Sequence, residues 1–150
     1  ATLLSMIGLF NIFGTLTSGY LSTKFSKKAI LSFIYFARGI VITLFVFLPP
    51  SPILAVLFGV TFGFLWLATV PPTAGIVSFI FGTKYMGLLY GIVFLSHQVG
   101  SFFGAYLGGI FKEVYGSYDY AWYVSIALSI FAGLIHLPIK EKQVKRLQTA

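Results

Sequence analysis

Few side chains in this sequence could do chemistry, and most of them lie inside long apolar runs. Arg38 stands mid-run, about ten residues from either end, where a permanent cation costs about 2.5–3.5 kcal/mol on insertion scales. Something must offset that cost: an anionic substrate, a carboxylate from outside this sequence, or backbone carbonyls. No Asp or Glu falls within any run, so an internal ion-pair partner is lacking. His97 and Gln98 form a second mid-run polar pair, and His97 shares a helical face with Phe94, Ser101 and Ala105. An imidazole there can relay a proton or simply bond to a neighbouring helix. Asn11, Thr15 and Ser18 recur at helical spacing, able to line a pathway or to join helices. Trp66, Thr69 and Thr73 surround the Pro71-Pro72 pair and form a third candidate wall. The residues expected to contact a substrate are therefore Arg38, His97, Gln98, Asn11 and Trp66, whereas His136 reads as an interfacial residue near the end of the last run.

Other chemistries find no support. Paired carboxylates, a phosphate-cradling glycine loop and metal-spaced histidines are all missing, and there is no cysteine. The reading is of a non-enzyme with no cofactor and no metal. Although the net charge is +7, the cations flank apolar runs and no basic stripe with exposed stacking rings appears, which argues against nucleic acid.

Composition fixes the solvent around these residues. Hydrophobic residues make up 58% and charged residues 9%, against roughly 25% charged in ordinary soluble domains. Most of the outside must meet lipid. Five apolar runs can be drawn, at residues 2–22, 29–48, 52–81, 87–111 and 121–139, with a basic tail at 140–150. Each has about 20 residues or more, enough at 1.5 Å per residue for a hydrocarbon core of roughly 30 Å. Continuous runs such as Ile40 to Phe47 do not alternate, so barrel strands are excluded. In the third run Pro71 and Pro72 should kink or break the helix, with Thr69 and Thr73 helping to satisfy the freed backbone.

Loop charges orient the runs. The 23–28 loop holds Lys24, Lys27 and Lys28, and the tail holds Lys140, Lys142, Lys145 and Arg146 against Glu141. The 49–51 loop has no charge, Lys84 stands alone in the 82–86 loop, and Lys112 faces Glu113 and Asp119 in the 112–120 loop. Basic loops thus alternate with neutral or acidic ones, which places the C-terminus in the cytoplasm and the tail on anionic lipid headgroups. Gly100, Gly104 and Gly108 recur every four residues, and Gly59 and Gly63 repeat that spacing, as in helices that pack backbone to backbone. A chain that opens on Ala1 inside an apolar run reads as part of a longer polypeptide.

The first loop carries a resemblance. Gly19-Tyr20-Leu21-Ser22-Thr23-Lys24-Phe25-Ser26-Lys27-Lys28 resembles the Gly-x-Leu-x-Asp-Arg-x-Gly-Arg-Arg loop of the major facilitator superfamily. Gly19, Leu21, Lys24, Lys27 and Lys28 match with Lys allowed for Arg, while Thr23 replaces the acid and Ser26 the glycine. The stretches 81–87, 96–100 and 115–119 look like bacterial members, similar to the oxalate and monocarboxylate branch. The resemblance implies an all-α, polytopic transmembrane helix bundle, a partial major facilitator fold comprising helices eight to twelve, with Gly19, Lys24, Lys27 and Lys28 in a gating loop. It further implies a cytoplasmic (inner) membrane carrier that moves a small organic solute by alternating access around a midplane site. An organic anion and coupled protons are the expectation, with membrane lipid and the missing N-terminal half of the carrier as partners. The rival expectation is a truncated membrane protein that packs with partners or lipid and does not transport alone.

Overall fold

The computed structural model describes residues 2–144 and is all-helical over them. Six helices follow in order: α1 (Thr2–Lys24), α2 (Lys27–Phe47), α3 (Pro52–Trp66), α4 (Val70–Phe81), α5 (Met86–Tyr115) and α6 (Asp119–His136). Among the described residues four segments are long and apolar enough to cross a membrane, namely Leu3–Lys24, Lys27–Phe47, Pro52–Phe81 and Met86–Tyr115. At 18 residues α6 is shorter than these, rising about 27 Å. The fifth run ends as helix at His136 rather than at Ile139. The helices of the first and fourth runs, α1 and α5, extend further than the apolar patterns, to Lys24 and Tyr115, so the loop after α1 shrinks to Phe25 and Ser26. Long lysine stems let a helix extend past its apolar span while the ammonium stays wet.

Local chemistry sets the ends. Pro49 and Pro50 stop α2, since the first constrains Leu48 to an extended backbone with φ −84° and ψ 150°. Ser51 then caps α3, its hydroxyl accepting from the Leu54 N–H at 3.1 Å, and Pro52 opens the first turn, where a missing N–H costs nothing. Gly116 ends α5 in the left-handed region at φ 73°, and its N–H donates to the Lys112 carbonyl at 3.0 Å.

Two helix pairs form the body, α1 against α3 and α2 against α6, and α2 also packs on α3. The α1–α3 seam is made by glycine. Gly14 lies against the backbone of Phe64, and a Cβ on Gly63 would stand 2.7 Å from the Cα and carbonyl oxygen of Ile7. Across α2 and α6, Gly133 faces the Phe36 ring and Gly39 faces Ser129. Lipid tails are as apolar as the side chains, so close packing rather than water exclusion must hold these seams. The core is correspondingly an aromatic cluster: Phe45 stacks on Phe58 at 4.1 Å, Phe58 on Phe62 at 4.8 Å, and Trp122 meets Phe45 edge-on at 5.7 Å.

Helix α5 stands apart. It has no buried residue, and it touches α4 and α6 lightly. A Cβ added at Gly100, Gly104 or Gly108 would meet nothing. Within the described residues this stripe packs no helix against another, unlike Gly59 and Gly63, and the expectation of packing there is not met inside this chain.

Candidate functional site

The polar residues of the runs do not gather at one place. Two of them, Asn11 and Arg38, converge on the interruption of the third run. Its prolines sit in the first turn of α4, and the break itself falls upstream, at Leu67–Thr69. The displacement has a backbone cause. Pro71 has no N–H for the Leu67 carbonyl, so the Val70 N–H shifts to it at 3.0 Å. That shift removes the usual donor of the Trp66 carbonyl. Arg38 takes its place, its Nη2 donating to the Leu65 carbonyl at 2.6 Å and to the Trp66 carbonyl at 2.9 Å. From α1, the Asn11 Oδ1 accepts the Leu67 N–H at 3.0 Å. Below the break Thr73 resumes the helix, its N–H and hydroxyl both donating to the Thr69 carbonyl, at 3.1 and 2.7 Å.

One side of this clasp is packed, while Leu67 and Val70 leave the other side exposed. Ala68 is 2% exposed and Leu65 8%, and both pack with Ile34. The Arg38 guanidinium lies 5.3 Å from the Tyr35 ring centroid, a cation–π contact, and Tyr35 stacks in turn on His136 at 5.1 Å. Trp66 is half exposed and edges the Phe62 ring at 5.1 Å. Ser18 is buried and donates to the Thr15 carbonyl at 3.1 Å, so that hydroxyl serves its own helix. An apolar cavity of about 280 Å³ opens beside α1, lined by Leu21, Ile30, Phe33 and Ala68 among others, and offers a polar solute no partner.

His97 and Gln98 lie elsewhere, exposed on the free helix α5, with His97 6.1 Å from the Phe94 ring. At about 100° per residue, His97 falls on the same broad face as Gly100, Gly104 and Gly108. Thus an imidazole sits in the small-residue face that nothing among the described residues covers.

A third constellation joins the basic loop to the end of the chain. A Cβ on Gly19 would stand 3.7 Å from the Pro71 ring, and Lys24 lies over the Tyr20 ring at 4.5 Å. Lys27 lays its stem along Gly75 and its Nζ 5.3 Å from the Phe79 ring centroid, tying the loop to α4. Lys28 Nζ donates to the Leu137 carbonyl at 3.0 Å. Ser26 precedes α2 but does not cap it. Instead Glu141 accepts the Lys28 N–H at 2.7 Å and the Ser26 hydroxyl at 2.8 Å, an anion at the helix N-terminus. The Val144 N–H then donates to the Ile80 carbonyl at 2.8 Å, so residues 141–144 cross from α2 to the end of α4. Lys140 and Lys142 remain exposed, while Lys145 and Arg146 lie outside the described residues. Sequence reasoning passed over Glu141. Its one signal is a lone acid among tail cations.

Partial burial pushes the Glu141 carboxyl up, but the Lys28 N–H, the Ser26 hydroxyl and the Lys27 and Lys28 charges outweigh it and hold it below its ordinary value. A depressed carboxyl contributes fully above the ordinary pKa of about 4.3 and loses its contribution as pH falls through the lower folded value. Docking of residues 141–144 should therefore be constant from neutral pH to about 5 and loosen below about 4. A spin label at exposed Gln143 reports this as rising mobility in acid, and Glu141→Gln should flatten the response. Solvent screening limits the effect to roughly 0.5–1 kcal/mol.

A bundle of apolar helices, with its mid-span cation spent on a broken helix and a polar helix face left bare, is a membrane-embedded helical assembly. The comparisons give the family: residues 1–149 match the Major Facilitator Superfamily, and the chain belongs to it. Its members are non-enzymatic transporters. A similar curated protein is the uncharacterized MFS-type transporter YcxA of Bacillus subtilis (strain 168), 30% identical over 139 residues that cover 88% of this chain. Those residues cover 33% of that protein, so this chain spans about a third of its relative's length. No solved structure matches.

Proposed function

We propose that the chain is the C-terminal part of a secondary carrier, helices eight to twelve, which moves a small organic solute by alternating access. The observation that carries this is the bare face of α5. His97 and Gln98 are exposed near the middle of a 30-residue helix, where hydrocarbon would leave both without partners. A face that is polar and lined by small residues suits a water-filled pathway or a moving helix, and suits lipid poorly. An organic anion is the favoured charge class. No carboxylate lies in any of the chain's apolar runs to pair with a cationic solute, whereas Arg38 gives this half a fixed positive field. His97 is the candidate proton carrier, and Trp66 a candidate wall. Loop charges support a cytoplasmic side of the inner membrane for the Lys24–Lys28 loop and the C-terminus.

Reconstitution of the native protein into liposomes tests the reading with labelled anionic, neutral and cationic organic solutes. Saturable uptake of one class is expected, driven by an imposed pH gradient. His97→Ala and Gln98→Ala should each lower it about tenfold, the loss of roughly one strong hydrogen bond in the transport cycle. Absence of saturable flux with every class would instead favour a chain that only packs with partners or lipid.

A further inference from the structure

The break between α3 and α4 falls midway along the Pro52–Phe81 span, and its backbone groups are bonded by side chains from two other helices. Arg38 comes from α2 and Asn11 from α1, and each supplies what the break removes: donors for two carbonyls, an acceptor for one N–H. A freed carbonyl or N–H at this depth has no water to turn to. The prolines create the demand, because the lost Pro71 N–H draws Val70 to the Leu67 carbonyl and strands the carbonyl of Trp66. We propose that Arg38 and Asn11 are positioning residues that hold the α3–α4 break as a fixed hinge, and that Arg38 acts on the backbone rather than touching the solute.

Three further observations favour a hinge over an accident of packing. The break is confined to residues 67–69, with regular helix on either side, so a rotation has few bonds to disturb. Helix α4 is held at its far end by separate contacts, Lys27 against Gly75 and Phe79, and the Val144 N–H on the Ile80 carbonyl. And Arg38 Nε is buried without a partner among the described residues, a cost consistent with a guanidinium fixed by its Nη2 bonds. The inference goes beyond the transport reading, and its test needs no solute.

The test is a cycle of variants in the native protein purified in detergent. Replacing both prolines by alanine returns N–H donors at 71 and 72, which frees the Val70 N–H for the Trp66 carbonyl and closes the helix. Arg38→Gln should lower the unfolding midpoint by about 4 °C or more in the parent, and by less than half of that in the P71A/P72A background. Asn11→Ala should show the same non-additivity, and serves if Arg38→Gln does not fold. Spin labels at Ile53 and Tyr85, both exposed and on either side of the break, read the hinge itself. Their distance distribution should broaden in Arg38→Gln and narrow in P71A/P72A. Equal losses in both backgrounds, or a distribution that Arg38→Gln leaves unchanged, would overturn the proposal whatever the protein transports.

Discussion

Gly14→Val should be the most damaging single substitution in the α1–α3 pair, lowering stability by about 3 kcal/mol or more, the upper range for overpacking. The reason is what the new Cβ would meet. At Gly14 it would fall on the carbonyl oxygen of Phe64, which is backbone and cannot swing aside as a side chain can. Relief requires α1 and α3 to separate along their length. That separation would in turn loosen the contact between Gly63 and Ile7. In lipid the seam has little besides close packing to hold it, so no hydrophobic gain offsets the loss. Gly8→Val is the control, on the same helix, where a Cβ meets nothing within 4 Å. Thermal unfolding of the native protein in detergent separates the two. Equal midpoints for both variants would mean that α1 and α3 do not meet as described.

The class of the fold was legible because composition alone forces it: a chain with 58% hydrophobic and 9% charged residues cannot present a wet surface, and runs of this length can only be helices in lipid. An interruption near Pro71 was legible for the same sort of reason, since proline chemistry is local. Its position at Leu67–Thr69 was not. That depends on which carbonyl the Val70 N–H reaches, and on Arg38 being near enough to take the one it leaves. Arg38 shows the limit most clearly. Its mid-span charge announces that some partner exists, and carbonyls were one of the partners foreseen, but only the fold says which carbonyls and that Asn11 joins at the same place. Glycine spacing picked out the Gly59–Gly63 seam but not every tight contact. Among the described residues the regular stripe at Gly100, Gly104 and Gly108 meets nothing, while isolated Gly14 and Gly133 carry tight seams. Periodicity shows that a helix has a small face. It does not show which helix comes to it. Glu141 was unreadable for a further reason: it acts across 113 residues of sequence on the Lys28 N–H, and no local pattern links the two.

Phe58→Ala should cost about 2–4 kcal/mol and should act on three helices at once. Phe58 is 7% exposed and sits between Phe45 of α2 at 4.1 Å and Phe62 of its own helix at 4.8 Å, with the Trp122 ring of α6 standing edge-on at 6.1 Å. In water a buried Phe→Ala change costs about 3–5 kcal/mol, part of it from transfer of apolar surface. Lipid removes most of that transfer part, which sets the lower bound. The cavity and the lost ring contacts remain, each ring pair contributing about 0.5–1.5 kcal/mol. Trp122 then loses one of the two rings it leans on, keeping Phe45. The damage should therefore reach the packing of α6 on α2, seen as a shift in Trp122 fluorescence, even though Phe58 belongs to neither helix. Phe33→Ala provides the comparison: that ring is 69% exposed on α2, and its loss should leave both the midpoint and the Trp122 emission unchanged. If Phe58→Ala behaved like Phe33→Ala, the aromatic cluster would not be what joins α3 to the α2–α6 pair.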